Sequence, residues 1–552
     1  VAPGDTVAEG APLALLRREA EAAGAEGPEA EPDPAHVRPD LAEALARRAA
    51  TLDAARPEAV ARRRETGRWT ARETVDAFLD PGSFTEIGGL LLAGRRTRQS
   101  VDELIARTPA DGVITGFGTA NAEDVAPEAA DVAVLAYDYT VLAGTQGLRG
   151  HVKTDRFLDA AHHRGVPLVC FTEGGGGRPG DTDMIQAAGL NVPTFHRFAE
   201  LSGAVPLVGV NAGFCFAGNA VLLGACDVVI ATRESSLGMG GPAMIEGGGL
   251  GVHRPEAVGP APEMAEAGVV DLLVEDDAAA VAAARRYLAY FQGPVEAWTA
   301  ADQRRLRHVV PESRRRAYEM RRVIELLCDE GSVMELREAF GTAMITALAR
   351  VEGRPLGVIA NDPRRLGGAI DGPAADKAAR FMQLCEAHGL PVLFLCDTPG
   401  NMVGPEAERT GLIRHCARLF LVGSNLTVPY MTVVTRKGYG LGAQAMAGGG
   451  FANPLLTVAW PTGEFGAMGL EGAVRLGFRR ELEAIEDPEA RRAAFEARVA
   501  EAYATGRGLN AASLGEIDDV IDPAETRALV RRTLDAPRRA RRAKALPWID
   551  GW

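Results

Sequence analysis

Two glycine-rich stretches carry the chemistry open to this sequence. The first is Glu173-Gly174-Gly175-Gly176-Gly177-Arg178 and the second is Gly440-Leu441-Gly442. Each follows an apolar run that reads as a strand and precedes a helical pattern. Backbone N–H groups facing out of such a turn stabilise an anionic oxygen, and glycine lets a ligand approach the main chain closely. One N–H aimed at a developing enolate or tetrahedral oxyanion contributes roughly 3–4 kcal/mol. A lone glycine would signal only a tight turn, whereas four in a row, mirrored by a second Gly-rich turn, point to an oxyanion site.

Gly438-Tyr439-Gly440-Leu441-Gly442-Ala443 also fits G-x-G-x-x-A, with Glu464 about twenty residues on, as in a dinucleotide site. It lies in the last third of the chain rather than on a leading βαβ unit, and the first half has no matching fingerprint. H-E-x-x-H, G-x-S-x-G, Walker A and Cys/His zinc spacings are absent, so no metal ligand set is predicted. His162, His163 and His388 fall near predicted helix ends, and His415 within a helix, where packing or capping explains them. A site with no evident acid, base or nucleophile suits a reaction whose reactive group comes from a cofactor or the substrate.

The elements that must hold these loops occur twice. Leu79–Ile87 recurs as Cys328–Leu336, 249 positions on, and Lys153-Thr-Asp-Arg156-Phe157 recurs as Lys377-Ala-Ala-Arg380-Phe381, 224 on. Gly165-Val-Pro167 matches Gly389-Leu-Pro391 in the same register, and Val205-Pro206 matches Val428-Pro429. In the first half, strand 132–137, helix 153–163, strand 167–171 and strand 206–210 lead to the small-residue loop Phe216-Ala217-Gly218-Asn219-Ala220. The second half offers strand 356–360, helix 377–388, strand 392–395, loop Thr398-Pro399-Gly400-Asn401, strand 430–434 and the loop 438–442. Strands alternating with helices predict an α/β protein with mainly parallel sheets. A duplicated unit works at the seam between its copies.

Ahead of the repeat, 41–77 is Ala/Arg/Glu-rich and predicts helix. Residues 23–35 read as a Pro/Gly/acid linker, and 1–16 as a hairpin. The halves are placed at 36–300 and 301–552. With 552 residues, 47% hydrophobic and 24% charged, the chain has room for two or three domains. Its net charge of −14 argues against nucleic acid as a partner, and the Arg-rich runs read as solvated helix faces. No apolar run is long enough to span a bilayer, so no membrane role is expected. Seven cysteines without a C-x-x-C pair predict buried free thiols in a cytoplasmic protein. The chain begins at Val1 inside a recognisable pattern and is expected to be part of a longer polypeptide.

Over residues 60–535 the motifs resemble the carboxyltransferase component of biotin-dependent acyl-CoA carboxylases. Gly67-Arg-Trp-Thr-Ala-Arg-Glu73 followed by Leu79-Asp-Pro-Gly-Ser-Phe84 is similar to the entry motif, and 173–178 stands in the place of Ser-Gly-Gly-Ala-Arg. Asp397-Thr-Pro-Gly400, Gly411–His415, Val433–Gly440 and Ala459-Trp-Pro-Thr462 follow in order. The resemblance implies two crotonase-like (ClpP/crotonase) β-β-α superhelical domains related by internal duplication. It also implies carboxyl transfer from carboxybiotin to the α-carbon of an acyl-CoA: biotin N1′ takes the α-proton and the enolate attacks CO₂. By position, Gly175 and Gly176 would serve the thioester enolate and Leu441 and Gly442 the biotin ureido oxygen. Gly174, Gly177, Arg178, Ala217, Gly218 and Gln444 would line the acyl-CoA site, and Gly400, Tyr439 and Gly440 the biotin site.

The same resemblance implies a homo-oligomer, a hexamer, with each active site formed by the first half of one subunit and the second half of another. Residues 1–22 are similar to the end of a biotinyl carrier domain, which implies carrier and biotin carboxylase domains in the same polypeptide, with ATP and Mg confined to the latter. Gln444 departs from the Asp of short-chain carboxylases, and the small residues Ala443, Ala445, Ala447 and Gly448–Gly450 suggest a roomier pocket and a longer acyl chain. A biotin-dependent decarboxylase, or a crotonase-type hydratase or thioesterase, would share the fold. A non-catalytic scaffold is a further alternative.

Overall fold

The computed structural model describes residues 6–9, 33–178, 180–183, 190–314, 316–538 and 549–550. The hairpin expected over 1–16 and most of the linker lie outside these, apart from residues 6–9 and 33–35. The predicted helical stretch 41–77 forms three helices, Pro39–Ala49, Pro57–Glu65 and Ala71–Phe78. Pro57 starts the second, where its missing N–H costs nothing. Gly67, with φ +71°, turns the chain, and Thr70 with Glu73 forms a capping box on the third.

The repeat becomes two sheets of one design. In the first half the strands are β1 (Thr85–Ile87), β2 (Val113–Thr119), β3 (Asp131–Tyr137), β4 (Leu168–Phe171), β5 (Leu207–Asn211), β6 (Phe214–Phe216), β7 (Val228–Thr232), β8 (Ser236–Gly238) and β9 (Leu272–Val274). The second half has β10 (Met334–Leu336), β11 (Met344–Val351), β12 (Arg354–Asn361), β13 (Val392–Thr398), β14 (Tyr430–Tyr439), β15 (Leu456–Ala459), β16 (Glu464–Gly466) and β17 (Asp519–Val520). The sheets run β1-β2-β3-β4-β5-β7-β9 and β10-β11-β12-β13-β14-β15-β17, with β16 beside β14 and β6 paired to β8. Each begins with two antiparallel pairings and continues parallel. The α/β class, the parallel sheets and the duplication are as expected.

The parallel strands read as continuous Val/Ile/Leu runs because both faces are covered. Val132–Ala136 and Val392–Cys396 are fully buried. The helix after each antiparallel meander has 17 residues in both halves, Leu148–Arg164 and Gly372–His388, and both end on a left-handed glycine, Gly165 or Gly389. Both start five residues earlier than the sequence pattern indicated, because the turns before them lead directly into the first helical turn.

The chain divides into two compact units, 1–47 and 48–552. The boundary expected near 300 falls inside the second, where Tyr287, Leu288 and Tyr290 share one buried cluster with Met334, Met344 and Ile359. All seven cysteines are buried and unpaired. Among the described residues no helix is long and apolar enough to cross a membrane.

A lysine is buried at the same place in both 17-residue helices. Lys153 Nζ donates to the Val113 carbonyl at 2.5 Å and Lys377 Nζ to the Met344 carbonyl at 2.8 Å. Burial pushes both ammonium groups down to about 8. Below that pH, folded and unfolded chains both hold the proton. Between about 8 and 10.5 the unfolded chain holds more, so stability rises with pH. Thermal unfolding across this range is therefore expected to shift in favour of wild type over Lys377→Met as pH rises. A pH-independent difference contradicts the assignment.

Candidate active site

The first glycine stretch is a tight turn whose N–H groups are divided between scaffold and open space. At its root, Arg63 donates two hydrogen bonds to Glu173, at 2.9 and 2.5 Å, and Arg68 lies 3.5 Å away. Burial pushes the Glu173 carboxyl up, and the two guanidinium groups oppose it. Within the turn, Gly174 N–H donates to the Phe214 carbonyl at 2.8 Å, Gly175 N–H to the Ala143 carbonyl at 3.1 Å, and Gly176 N–H to Asn219 Oδ1 at 3.0 Å. Gln146 forms a parallel bridge beside Gly177, donating to the Gly176 carbonyl at 2.7 Å and accepting from Arg178 N–H at 2.8 Å. That pattern leaves the N–H of Gly177 on the other side of the bridge. Gly218 opens the helix Gly218–Gly224, so its N–H has no intrahelical acceptor. A Cβ on Gly176 would lie 2.6 Å from Ala217 Cβ and 3.5 Å from Gly218 N, so the two open N–H groups are neighbours.

The second half repeats this geometry 224 positions on. Ile370 forms a parallel bridge beside Asn401, donating to the Gly400 carbonyl at 3.1 Å and accepting from Met402 N–H at 2.8 Å. Asn401 N–H is the group left over, as Gly177 is in the first half. The expected loop 438–442 is a direct passage from β14 into the helix Gly440–Ala445, whose first-turn N–H groups, Leu441 and Gly442 among them, lack intrahelical acceptors. A Cβ on Gly442 would lie 2.7 Å from Gly400 Cα and 3.1 Å from Asn401 N. Among the described residues, Gly177, Gly218, Asn401 and Gly442 have no protein acceptor for their N–H groups. At the root of this turn, Asp397 is held by Arg436 at 3.0 Å and Lys437 at 3.2 Å.

Several residues singled out in the sequence have other duties. The N–H groups of Gly175 and Gly176 are used inside the scaffold, so the open donor in that turn is one residue later. The Arg178 guanidinium is buried, ion-paired to Asp111 and donating to the Asp111 and Thr145 carbonyls at 3.0 and 2.8 Å. It anchors the turn from behind. Tyr439 is buried, and its hydroxyl donates to Glu464 Oε1 at 2.9 Å. Burial raises both groups, and Arg314, 3.5 Å from Glu464, pulls its carboxyl back. Glu464 is thus engaged by its neighbours, which removes the ribose-binding role a dinucleotide site would need.

Ala443, Ala445 and Ala447 are packed in the core and enlarge no pocket. They are small because chain segments converge there: a Cβ on Gly448 would lie 2.8 Å from the Tyr430 ring, and one on Gly423 would lie 2.9 Å from Gly448 Cα. Gln444 is different. It is exposed and lines a cavity of about 650 Å³ with Gly438, Gly440, Phe451, Phe465 and Leu470. Asn219, Asn401 and Arg63 were not singled out from the sequence. Applying the 224-position offset to Gly177 leads directly to Asn401, whereas no pattern reveals Asn219 or Arg63.

Residues 62–548 match the family model of the carboxyl transferase domain. The chain belongs to the carboxyl transferase family. This carboxyltransferase is 34% identical over 486 residues to the methylmalonyl-CoA carboxyltransferase 12S subunit of Propionibacterium freudenreichii subsp. shermanii, covering 86% of this chain and 90% of that one. It is also 34% identical over 496 residues to the biotin-dependent long chain acyl-coenzyme A carboxylase beta4 subunit of Mycobacterium tuberculosis, covering 86% and 90%. Among solved structures, a single-chain, multi-domain long-chain acyl-CoA carboxylase superposes with TM-score 0.86 at 56% identity. The match covers 90% of this chain and 49% of that one, so the carboxyltransferase spans about half of that protein's length. Transcarboxylase 12S, a hexamer, superposes with TM-score 0.79 at 30% identity over 93% of this chain and 99% of that one. The expected crotonase-like fold and biotin-dependent carboxyltransferase class therefore hold.

The carboxyltransferase should be sensitive to the support beneath its first turn. Arg63 and Glu173 are both largely buried, and breaking such a pair strands a charge at a cost of about 3–5 kcal/mol. Arg63→Met is expected to lower the urea midpoint markedly, and Arg63→Met with Glu173→Gln to recover part of the loss. Equal midpoints for Arg63→Met and wild type contradict this role.

Proposed function

We propose that the chain transfers a carboxyl group from carboxybiotin to the α-carbon of an acyl-CoA, as part of a biotin-dependent acyl-CoA carboxylase. The observation that carries this reading is the duplicated pair of open N–H groups, Gly177 with Gly218 and Asn401 with Gly442, in a carboxyltransferase fold. The Gly177–Gly218 pair receives the thioester carbonyl oxygen. As the α-proton leaves, negative charge gathers on that oxygen, and donors already fixed in place strengthen without reorganising.

The Asn401–Gly442 pair, with Leu441 beside it, fits the ureido oxygen of biotin. Among the described residues the buried Asn401 Oδ1 has no partner, so this residue also offers an acceptor for a ureido N–H. When bound, biotin supplies the activated carboxyl group and a ureido nitrogen able to take the α-proton. The protein's part is to hold both oxygens and to keep the N–H donors aimed. This assigns the thioester to the first half and biotin to the second, with Gly177 and Asn401 joining Gly218 and Gly442 as the donors.

We infer further that the acyl chain is long and that the protein assembles as a hexamer alongside carrier and biotin carboxylase domains of the same polypeptide. The 56% identity to a long-chain enzyme supports the first reading, with Gln444 in the lining of the large cavity. Carboxylation of palmitoyl-CoA is expected to exceed that of acetyl- and propionyl-CoA, and strong preference for either short substrate would refute the assignment. The contacts of the two glycine turns each stay within their own half, consistent with a site shared between subunits.

Gly442→Val places side-chain carbons on the Gly400 backbone and is expected to lower kcat by about 100-fold or more while the fold survives. Gly176→Val should do the same from the first half. Mixing the two inactive variants under subunit exchange should restore part of the activity. Persistent inactivity of an exchanged mixture would place both turns of one site in the same chain.

A further inference from the structure

Beyond the second glycine turn the chain makes an excursion before it rejoins the body of the fold. From Asn401 it passes through Met402, Val403 and Gly404, forms the short helix Pro405–Arg409, and turns at Thr410 and Gly411 into the helix Leu412–Gly423. The short helix has no buried residue, and Val403 is 81% exposed. Core packing therefore does little to fix this stretch, and its ties to the rest of the fold sit at its ends. At the near end Met402 N–H donates to the Ile370 carbonyl, the bridge that leaves Asn401 N–H open. At the far end the side chain of His415 reaches back to the Thr410 carbonyl.

Both ring nitrogens of His415 face acceptors. Nδ1 lies 2.7 Å from Asp376 Oδ2 and Nε2 lies 3.2 Å from the Thr410 carbonyl oxygen. A neutral imidazole donates from one nitrogen, and only imidazolium donates from both. The two contacts are thus made together by the charged ring alone. Asp376 is itself fixed: it is buried on the helix Gly372–His388, and its other oxygen accepts from Arg418 at 2.9 Å. Arg418 pairs in turn with Asp550. The charged groups about the ring are therefore Asp376, with Arg418 behind it. Two further acids lie around the next residue, where burial, with Asp371, Glu408 and Asp376, pushes the Cys416 thiol up to about 11.

The ring also packs on the first turn of the helix Gly372–His388. A Cβ on Gly372 would lie 3.2 Å from His415 Cδ2, so a larger residue there would press on the imidazole. Gly372 comes two residues after Ile370. The near and far anchors of the excursion thus converge on one short stretch, 370–376, and the charge state of one ring decides whether the far anchor holds.

We propose that His415 is a positioning residue for the second open N–H pair: as imidazolium it closes the 401–411 excursion onto Asp376 and keeps Asn401 N–H in its direction. When the ring gives up a proton, the N–H that remains goes to the carboxylate, the stronger acceptor. A lone pair then meets the Thr410 carbonyl, and the far end is released. The inference rests on the carboxyltransferase reading for the role of Asn401 and goes beyond it in making the biotin side responsive to pH. Imidazole side chains change charge between about pH 5 and 8, so the excursion loosens as pH rises across that range.

The test compares wild type with His415→Gln, in the full chain, by hydrogen-exchange mass spectrometry and by kinetics. At pH 6, peptides from 401–411 should exchange about tenfold faster in the variant, and the gap should narrow at pH 8.5. Peptides from 174–178 should exchange alike in both proteins. In carboxyl transfer from a malonyl-type CoA to free biotin at pH 6, the variant's KM for biotin should rise about fivefold with the KM for the CoA ester unchanged. The wild-type KM for biotin should approach the variant's at pH 8.5. The His415 side chain is 36% exposed, so the melting temperature serves as a control on folding. Equal exchange over 401–411 at pH 6, a gap of the same size at both pH values, or an equal rise in both KM values overturns the proposal. If wild type transfers no carboxyl group yet exchange over 401–411 depends on His415 and on pH, the carboxyl-transfer reading fails and the clamp stands.

Discussion

A carboxylate taken out of water must be neutralised where it stands, and this molecule sets one at the root of each glycine turn. Glu173 and Asp397 occupy equivalent places, 224 positions apart, at the ends of β4 and β13. Around the first, Arg63 and Arg68 converge, and around the second, Arg436 and Lys437. Each cluster fixes the start of a turn whose later N–H groups must remain unbonded. An open donor keeps its direction only if the rest of the turn is overdetermined, and the bonds from Gly174, Gly175 and Gly176 complete that restraint.

The equivalence of the halves extends to backbone detail. Leu142 and Leu366 both adopt positive φ, +51° and +48°, an uncommon conformation for leucine. A Cβ on Gly144 or on Gly368 would lie 2.4 or 2.1 Å from the carbonyl oxygen of the carboxylate residue, Glu173 or Asp397. The preceding turn therefore presses directly on the root of the glycine turn in both copies. Such close approach explains why these positions are glycine, quite apart from any ligand.

Much of this was legible in the sequence. The constant offset between Lys153 and Lys377, and between the apolar runs that follow, announced duplicated α/β units, and the structure places both lysines at the same point of matched helices. The turns were legible as turns. Which N–H group stays open was not, because the decision lies with Ala143, Asn219 and Gln146, residues distant in sequence that only the fold brings into contact. Arg178 invited a ligand role by following four glycines, yet its partner Asp111 comes from another segment. The alanines after Gly442 suggested space because a small side chain reads the same whether it borders a cavity or lets another backbone in. Here it is the second.

The two carboxylates draw their counter-charges from different distances along the chain. Arg436 and Lys437 belong to β14, the strand beside Asp397's own β13. Arg63 and Arg68 precede the whole first sheet, Arg63 on the helix Pro57–Glu65. The second carboxylate is thus neutralised from within its own sheet, while the first depends on a segment that lies ahead of its sheet. Loss of the helix Pro57–Glu65 would therefore strip Glu173 of Arg63 while leaving the cations around Asp397 in place.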